Sequence, residues 1–268
     1  MTASIAPVRP TVAARQVFWA LLLRDLRVAQ RELPYFLVRT TLQPILFVVV
    51  FGYLLPKMHF VQQGYGTALL PGIIAISLAL SSIQSVALPL VQDFGWTREI
   101  EDRLLAPASA RMIAFEKVVA GVIQGLVAAI FVLPIARLIM GPIAGLTWTE
   151  GGALALVTLL GATAFSAMGL LLGTAIQPQQ VGLMFSVIVA PTIFFGCAYY
   201  PWQGLAAVPV LKYAVLVNPL VYVSEGMRGA LTPGLPHMPL GFVWLALTII
   251  SAAFWVWGER AFERRAFS

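Results

Sequence analysis

Six apolar stretches, each close to 20 residues long, constrain this chain more than any other feature. They lie at 36–55, 67–91, 118–140, 153–176, 181–199 and 240–257. A helix rises 1.5 Å per residue, so roughly 20 residues cross the ~30 Å hydrocarbon layer of a bilayer. Backbone N–H and C=O groups find no water there, so each stretch must satisfy its own as a helix. The expected fold is an all-α polytopic membrane protein with six transmembrane helices. Composition agrees: 60% of residues are hydrophobic and only 10% charged, whereas a soluble domain carries about 25% charged residues. A soluble cytosolic enzyme, a disordered chain and a disulfide-stapled secreted domain are excluded.

The distribution of Lys and Arg orients the bundle, because cytoplasmic loops collect them. Twelve lie in the N-terminal segment, the second loop and the C-terminal tail, against four at Lys57, Arg137, Lys212 and Arg228. Both termini are therefore expected in the cytoplasm. The net charge of +6 reflects this bias and no nucleic-acid partner. The chain reads as a single transmembrane domain, 1–268. It comprises a cytoplasmic N-terminal segment (1–35), a six-span bundle (36–257) with a charged loop at 93–117 and an outer segment at 201–239, and a cytoplasmic tail (258–268).

Within the first segment, 100° per residue places Trp19, Leu22, Leu23 and Leu26 on one side and Arg24, Arg27 and Arg31 on the neighbouring face, with Pro34 expected to end the run. That pattern fits an amphipathic helix in the membrane interface, its arginines toward lipid headgroups or a partner. Between the fifth and sixth spans, 201–239 is too apolar for a solvated loop. Its runs 208–217 and 219–231 are too short to span, so an outer re-entrant helical hairpin is expected.

Chemistry is narrowly bounded. The one cysteine, Cys197, placed near the outer surface, permits no intramolecular disulfide, and His59 and His237 read as separate solvated loop residues. The lysines, Lys57, Lys117 and Lys212, follow Pro56, Glu116 and Leu211. A phosphate-binding Gly-Lys-Ser/Thr loop is thus missing, and no ATP, metal or other cofactor is expected in this chain. No acidic residue lies at mid-membrane depth, which argues against a proton-coupled carrier. Carboxylates do not converge at one depth, which argues against a membrane enzyme.

The loop 93–117 carries the most information. Thr97 can cap a short helix with Glu99 in its first turn. Arg98/Asp102 and Glu99/Arg103 are i,i+4 pairs, Leu104 and Leu105 form an apolar tip, and Pro107 stops the helix. Ser109 then caps the third span. The loop has either the shape of a docking element or that of a solvated helix. Its run Glu99-Ile-Glu-Asp-Arg-Leu-Leu-Ala-Pro-Ala-Ser-Ala-Arg111 resembles the signature loop of bacterial ABC exporter permeases of the second membrane type. Pro191-Thr-Ile-Phe-Phe-Gly-Cys-Ala-Tyr-Tyr-Pro201 and Asn218-Pro-Leu-Val-Tyr-Val-Ser-Glu-Gly-Met-Arg-Gly229 are similar to that family's second recurring block. The resemblance implies an exporter of amphipathic cargo (drug-like, lipid or glycan-lipid) in the bacterial cytoplasmic (inner) membrane. It implies two permease copies, as a homodimer or a pair with a similar permease, and two ABC ATPase subunits that hold the ATP and magnesium. By position, Thr97, Arg98, Glu99, Glu101, Asp102, Arg103, Leu104, Leu105, Pro107 and Arg111 would couple to the ATPase.

Candidate path residues complete the reading. Arg39 and Arg137 sit near span ends, where either can snorkel to headgroups or meet substrate. Phe194, Phe195, Tyr199 and Tyr200 fit either an exit path or an interfacial aromatic belt. Asn218 and Glu225 lie in the outer segment, and Glu225 can pair with Arg228 at i,i+3. Gly121-x-x-x-Gly125 and Gly169-x-x-x-Gly173 permit close helix packing, within one subunit or at a dimer seam. The alternative to an exporter is a self-powered secondary transporter, for which an inverted repeat would speak.

Overall fold

A computed structural model describes residues 10–60, 65–95, 109–141, 146 and 150–267. The described residues are mostly helical, in the order α1 (Pro10–Arg31), α2 (Leu33–Phe47), α3 (Tyr65–Gly95), α4 (Ala110–Met140), α5 (Gly151–Ala175), α6 (Pro219–Leu231) and α7 (Leu240–Ala266), with short helical turns among the rest. Helices α3, α4, α5 and α7 are long and apolar enough to cross a membrane. Two shorter apolar stretches, Leu42–Lys57 and Pro178–Phe194, accompany them. At 31 residues each, α3 and α4 measure about 46 Å. Their ends therefore project beyond a hydrocarbon layer.

Both shorter stretches widen into π-helix, at Val48–Leu54 and Phe185–Val189. Each π segment ends two residues before a proline, Pro56 or Pro191. A proline lacks an N–H and its ring crowds the carbonyl four residues back, so the preceding turn must rearrange its bonding.

Helix α3 is the centre of the bundle: 83% of its most apolar window is buried, against 17% for α7. Small residues allow its neighbours to approach. A Cβ on Gly121 would come within 2.3 Å of Val86, and one on Gly173 within 2.8 Å of the Ala87 backbone. Both small-residue motifs thus pack inside the subunit. Ser77 and Ser81 donate across to the Ala128 and Gln124 carbonyls of α4 at 3.3 and 3.1 Å, satisfying polar groups where water is scarce.

The helices extend beyond the apolar runs that mark them. Helix α1 ends at Arg31, just before Pro34, as expected, but the chain does not leave the helical state there: after Glu32, Pro34 occupies the first turn of α2, where its missing N–H needs no partner. Helix α4 starts at Ala110 with Ser109 accepting from the Met112 N–H at 3.2 Å as its cap, as the sequence leads one to expect, eight residues ahead of the apolar run that begins at 118. The helices therefore reach Gly95 and resume at Ala110, and Asp93 and Lys117 lie within them. Apolar periodicity missed these ends because they carry charge that other helices bury.

Candidate functional site

One end of the bundle carries Gly95, Ala110, Ala175 and the C-terminal turns of α7, and most of the arginines; we call it the basic end. The opposite end holds the 195–239 segment, here the hairpin end.

At the basic end, Thr97, Arg98, Glu99, Glu101, Asp102, Arg103, Leu104, Leu105 and Pro107 lie outside the described residues, but both flanks of their loop are described. On the entering side, Phe94 packs edge-on against Phe262 of α7 at 5.6 Å. The Arg265 guanidinium sits 4.8 Å over the same Phe94 ring and donates to the Thr174 and Ile176 carbonyls that end α5. A Cβ on Gly95 would meet Pro178 at 2.2 Å, so the 177–180 turn is seated on the last residue of α3. On the leaving side, Arg111 pairs with Glu259 at 2.8 Å and Glu263 at 2.9 Å. The Arg111 side chain is 69% exposed, so solvent screens the pair and it adds little to stability. The last turns of α7 thus touch both ends of the loop.

Helix α1 lies against α4 at this end. Its buried edge is Phe18, Leu22 and Asp25: Phe18 stacks on Phe115 at 5.9 Å, Leu22 is 3% exposed, and Asp25 receives Lys117 at 2.8 Å. Trp19 and Leu23, away from this edge, are exposed at 53% and 47%. An exposed Trp beside the exposed Arg24, Arg27 and Arg31 is the surface that an interfacial helix offers to headgroups. Lys117 also lies 3.6 Å from Asp93 of α3, so one buried ammonium joins α1, α3 and α4. Removing one partner of such a buried pair costs about 3–5 kcal/mol. Sequence reading missed this triad because its members lie 92 and 24 residues apart in the chain and look like loop charges; a lysine among only three was the available signal.

At the hairpin end the second recurring block folds on itself. The Asn218 side chain caps α6 by accepting from the Leu220 N–H at 2.9 Å, and donates to the Thr192 carbonyl at 2.7 Å. Glu225 is fully buried and pairs with Arg228. Its carboxylate also accepts from the Trp202 N–H at 2.9 Å and the Met238 N–H at 3.0 Å. Arg228 donates to the Cys197 carbonyl at 3.0 Å. Four separated pieces of chain are cross-linked by two side chains. Cys197 itself is buried at a positive φ of 51°, a conformation unfavourable for a residue with a Cβ, and not at the surface as expected. His59 is exposed, whereas His237 is half-buried, its Nδ1 2.9 Å from the Met238 carbonyl; the solvated reading fails for His237.

The expected path residues do not form one cluster. Phe194 and Phe195 are exposed at 57% and 47%. Tyr199 is half-buried, 4.9 Å from Phe47 and 5.6 Å from Phe51, and its carbonyl accepts from the Tyr65 hydroxyl at 2.9 Å. Tyr200 is half-buried beside the Phe194 carbonyl. The Arg39 side chain lies outside the described residues, although its backbone is part of α2. Among the described residues no group of three or more His, Cys, Asp and Glu could hold a metal ion.

Comparison with known proteins accounts for this arrangement. The chain is 28% identical over 235 residues to "Inner membrane transport permease YadH" of Escherichia coli K12, covering 82% of this chain and 85% of that protein. The Shigella flexneri protein of the same name matches with the same identity and coverage. The family model described as "ABC-2 type transporter" matches residues 16–232, which takes in α1, the loop at the basic end and the Glu225–Arg228 block. The chain belongs to the ABC-2 type transporter membrane family.

Proposed function

We propose that this chain is the membrane-spanning permease subunit of an ATP-driven exporter in the bacterial inner membrane. Six spans, counting Leu42–Lys57 with the start of α2 and Pro178–Phe194, leave both termini on one side of the membrane; the excess of Lys and Arg at the basic end supports the cytoplasmic side, with 201–239 as a re-entrant hairpin on the outer side. The subunit pairs with a second permease copy, and two separate ATPase subunits grip the loop helix Thr97–Leu105. The carrying observation is the mounting of that loop: the C-terminal turns of α7 contact both flanks, through Phe94 on one side and Arg111 on the other. A force applied to such a loop passes into three long helices, α3, α4 and α7, rather than being absorbed by slack chain. Coupling by this route requires the ATPase to hold the loop differently in its two nucleotide states. The cargo is an amphipathic molecule moved outward, since the spans offer no mid-depth acid for proton coupling.

Inverted membrane vesicles containing the permease and its ATPase test this reading. Uptake of an amphiphilic fluorescent dye is expected to require ATP, to stop with vanadate, and to persist when ionophores collapse the ion gradients. Uptake that proceeds without ATP and stops with ionophores would instead establish a secondary transporter.

A further inference from the structure

A cleft of about 490 Å³ opens between α1, the start of α2, α3 and α4 at the basic end, of the size that small-molecule sites occupy. Its charges show no cationic excess: Lys117 faces Asp25 and Asp93 inside, and the remaining two, Arg24 and Glu32, are exposed and opposite in sign. Lys117 is already held by both aspartates. An anionic headgroup would therefore meet no excess cation of the kind phosphate sites present. A quaternary ammonium would meet a single aromatic, Tyr35, itself 67% exposed, and not an aromatic cage.

Deeper in, the wall is made of amides. Gln84 of α3 and Gln124 of α4 are half-buried and line the cleft, and neither side chain hydrogen-bonds to another described residue. Counted along their helices from Gly95 and Ala110, they lie about 16 and 21 Å in from the basic end. That depth falls within the hydrocarbon layer, where a polar side chain faces a cavity or a partner. An amide offers donors and an acceptor together, which suits hydroxyl or amide groups. Val28 and Leu88 give the same cleft an apolar edge.

We propose that this cleft receives the uncharged, hydroxyl- or amide-bearing headgroup of a membrane amphiphile, with Gln84 and Gln124 as its hydrogen-bonding contacts. The inference rests on the exporter reading for its orientation, by which the headgroup arrives from the cytoplasmic leaflet. The ligand is either cargo or a resident lipid of the same headgroup chemistry.

Binding of tritiated octyl glucoside, below its micellar concentration, to the permease alone in phosphatidylcholine nanodiscs tests the site. Saturable binding is expected. Octyl phosphate and octyltrimethylammonium should not compete, and Gln84→Leu with Gln124→Leu should weaken binding at least tenfold. Gln203→Leu, an exposed change at the hairpin end, should leave it unchanged. Unaltered burial of Cys197 in the double variant, read with a thiol reagent, shows that it is folded. Equal binding by that folded variant, or competition by octyl phosphate, would overturn the proposal. ATP-driven uptake of the bound glucoside into inverted vesicles identifies it as cargo chemistry, and binding without uptake identifies a resident-lipid site. Because binding is read without an ATPase, its failure leaves the exporter reading intact, and a failure of ATP-driven uptake leaves the binding result intact.

Discussion

Glu225→Ala is expected to destabilise the hairpin end by about 3–5 kcal/mol, the usual cost of stranding one member of a buried ion pair. The loss has three parts. Arg228, fully buried in α6, would keep its charge without a counter-ion, and the Trp202 and Met238 N–H groups would lose their acceptor. Glu225→Gln should cost less, because an amide oxygen can still accept from one N–H, although the charge pair is gone. Replacing both residues with methionine should recover only the charge part of the loss, since an apolar pair carries no desolvation penalty but leaves the two N–H groups without an acceptor. The protein supplies its own reporter: Cys197 is the sole cysteine and is buried beside the pair. Heating the detergent-solubilised protein with a fluorogenic maleimide should show the Glu225→Ala midpoint lower by on the order of 10 °C. A midpoint equal to the wild type would mean that the cross-link contributes nothing.

Gly72→Ala is expected to have an effect of similar size for a different reason. A Cβ at this position would lie 1.8 Å from the Ala198 carbonyl oxygen and 2.4 Å from its carbon. The obstacle is backbone, which cannot rotate aside as a side chain can. Either α3 or the 195–200 turn must move, and that turn carries the Cys197 carbonyl bound by Arg228. Overpacking a core costs about 1–3 kcal/mol and more where backbone must shift. Gly241→Ala in α7, where an added Cβ would meet nothing within 4 Å, should leave the thiol-reporter midpoint close to wild type. If Gly72→Ala melts with Gly241→Ala, the contact between α3 and the turn is not as tight as described.

Local features were legible in the sequence, and tertiary ones were not. Apolar runs located the four long helices because hydrocarbon leaves the backbone no alternative. Ser109 was readable as a cap, because that bond spans only three residues. The i,i+3 spacing likewise exposed the Glu225–Arg228 pair. The other partners of that pair could not be read, since Trp202, Met238 and Cys197 reach it through backbone groups that every residue possesses. Pro34 marked the end of α1 but not the helix that follows: proline breaks a helix interior and is at home in a first turn. Helical projection could not find the Asp25 contact of α1, because Asp25 scores as polar while its partner Lys117 lies on another helix.

The central claim is that a separate ATPase drives this permease through the loop mounted between Phe94 and Arg111. The direct measurement is a mild-detergent pull-down of the tagged chain from its native host, with mass spectrometry and an ATP hydrolysis assay, beside a variant carrying Glu99→Lys, Glu101→Lys and Arg103→Glu. The wild type should bring down a P-loop ATPase in about equal amount with measurable hydrolysis. The variant should insert in the membrane, keep Cys197 protected and lose both. Recovery of the same active ATPase by the variant, or a folded wild-type permease that brings down none, would contradict the account.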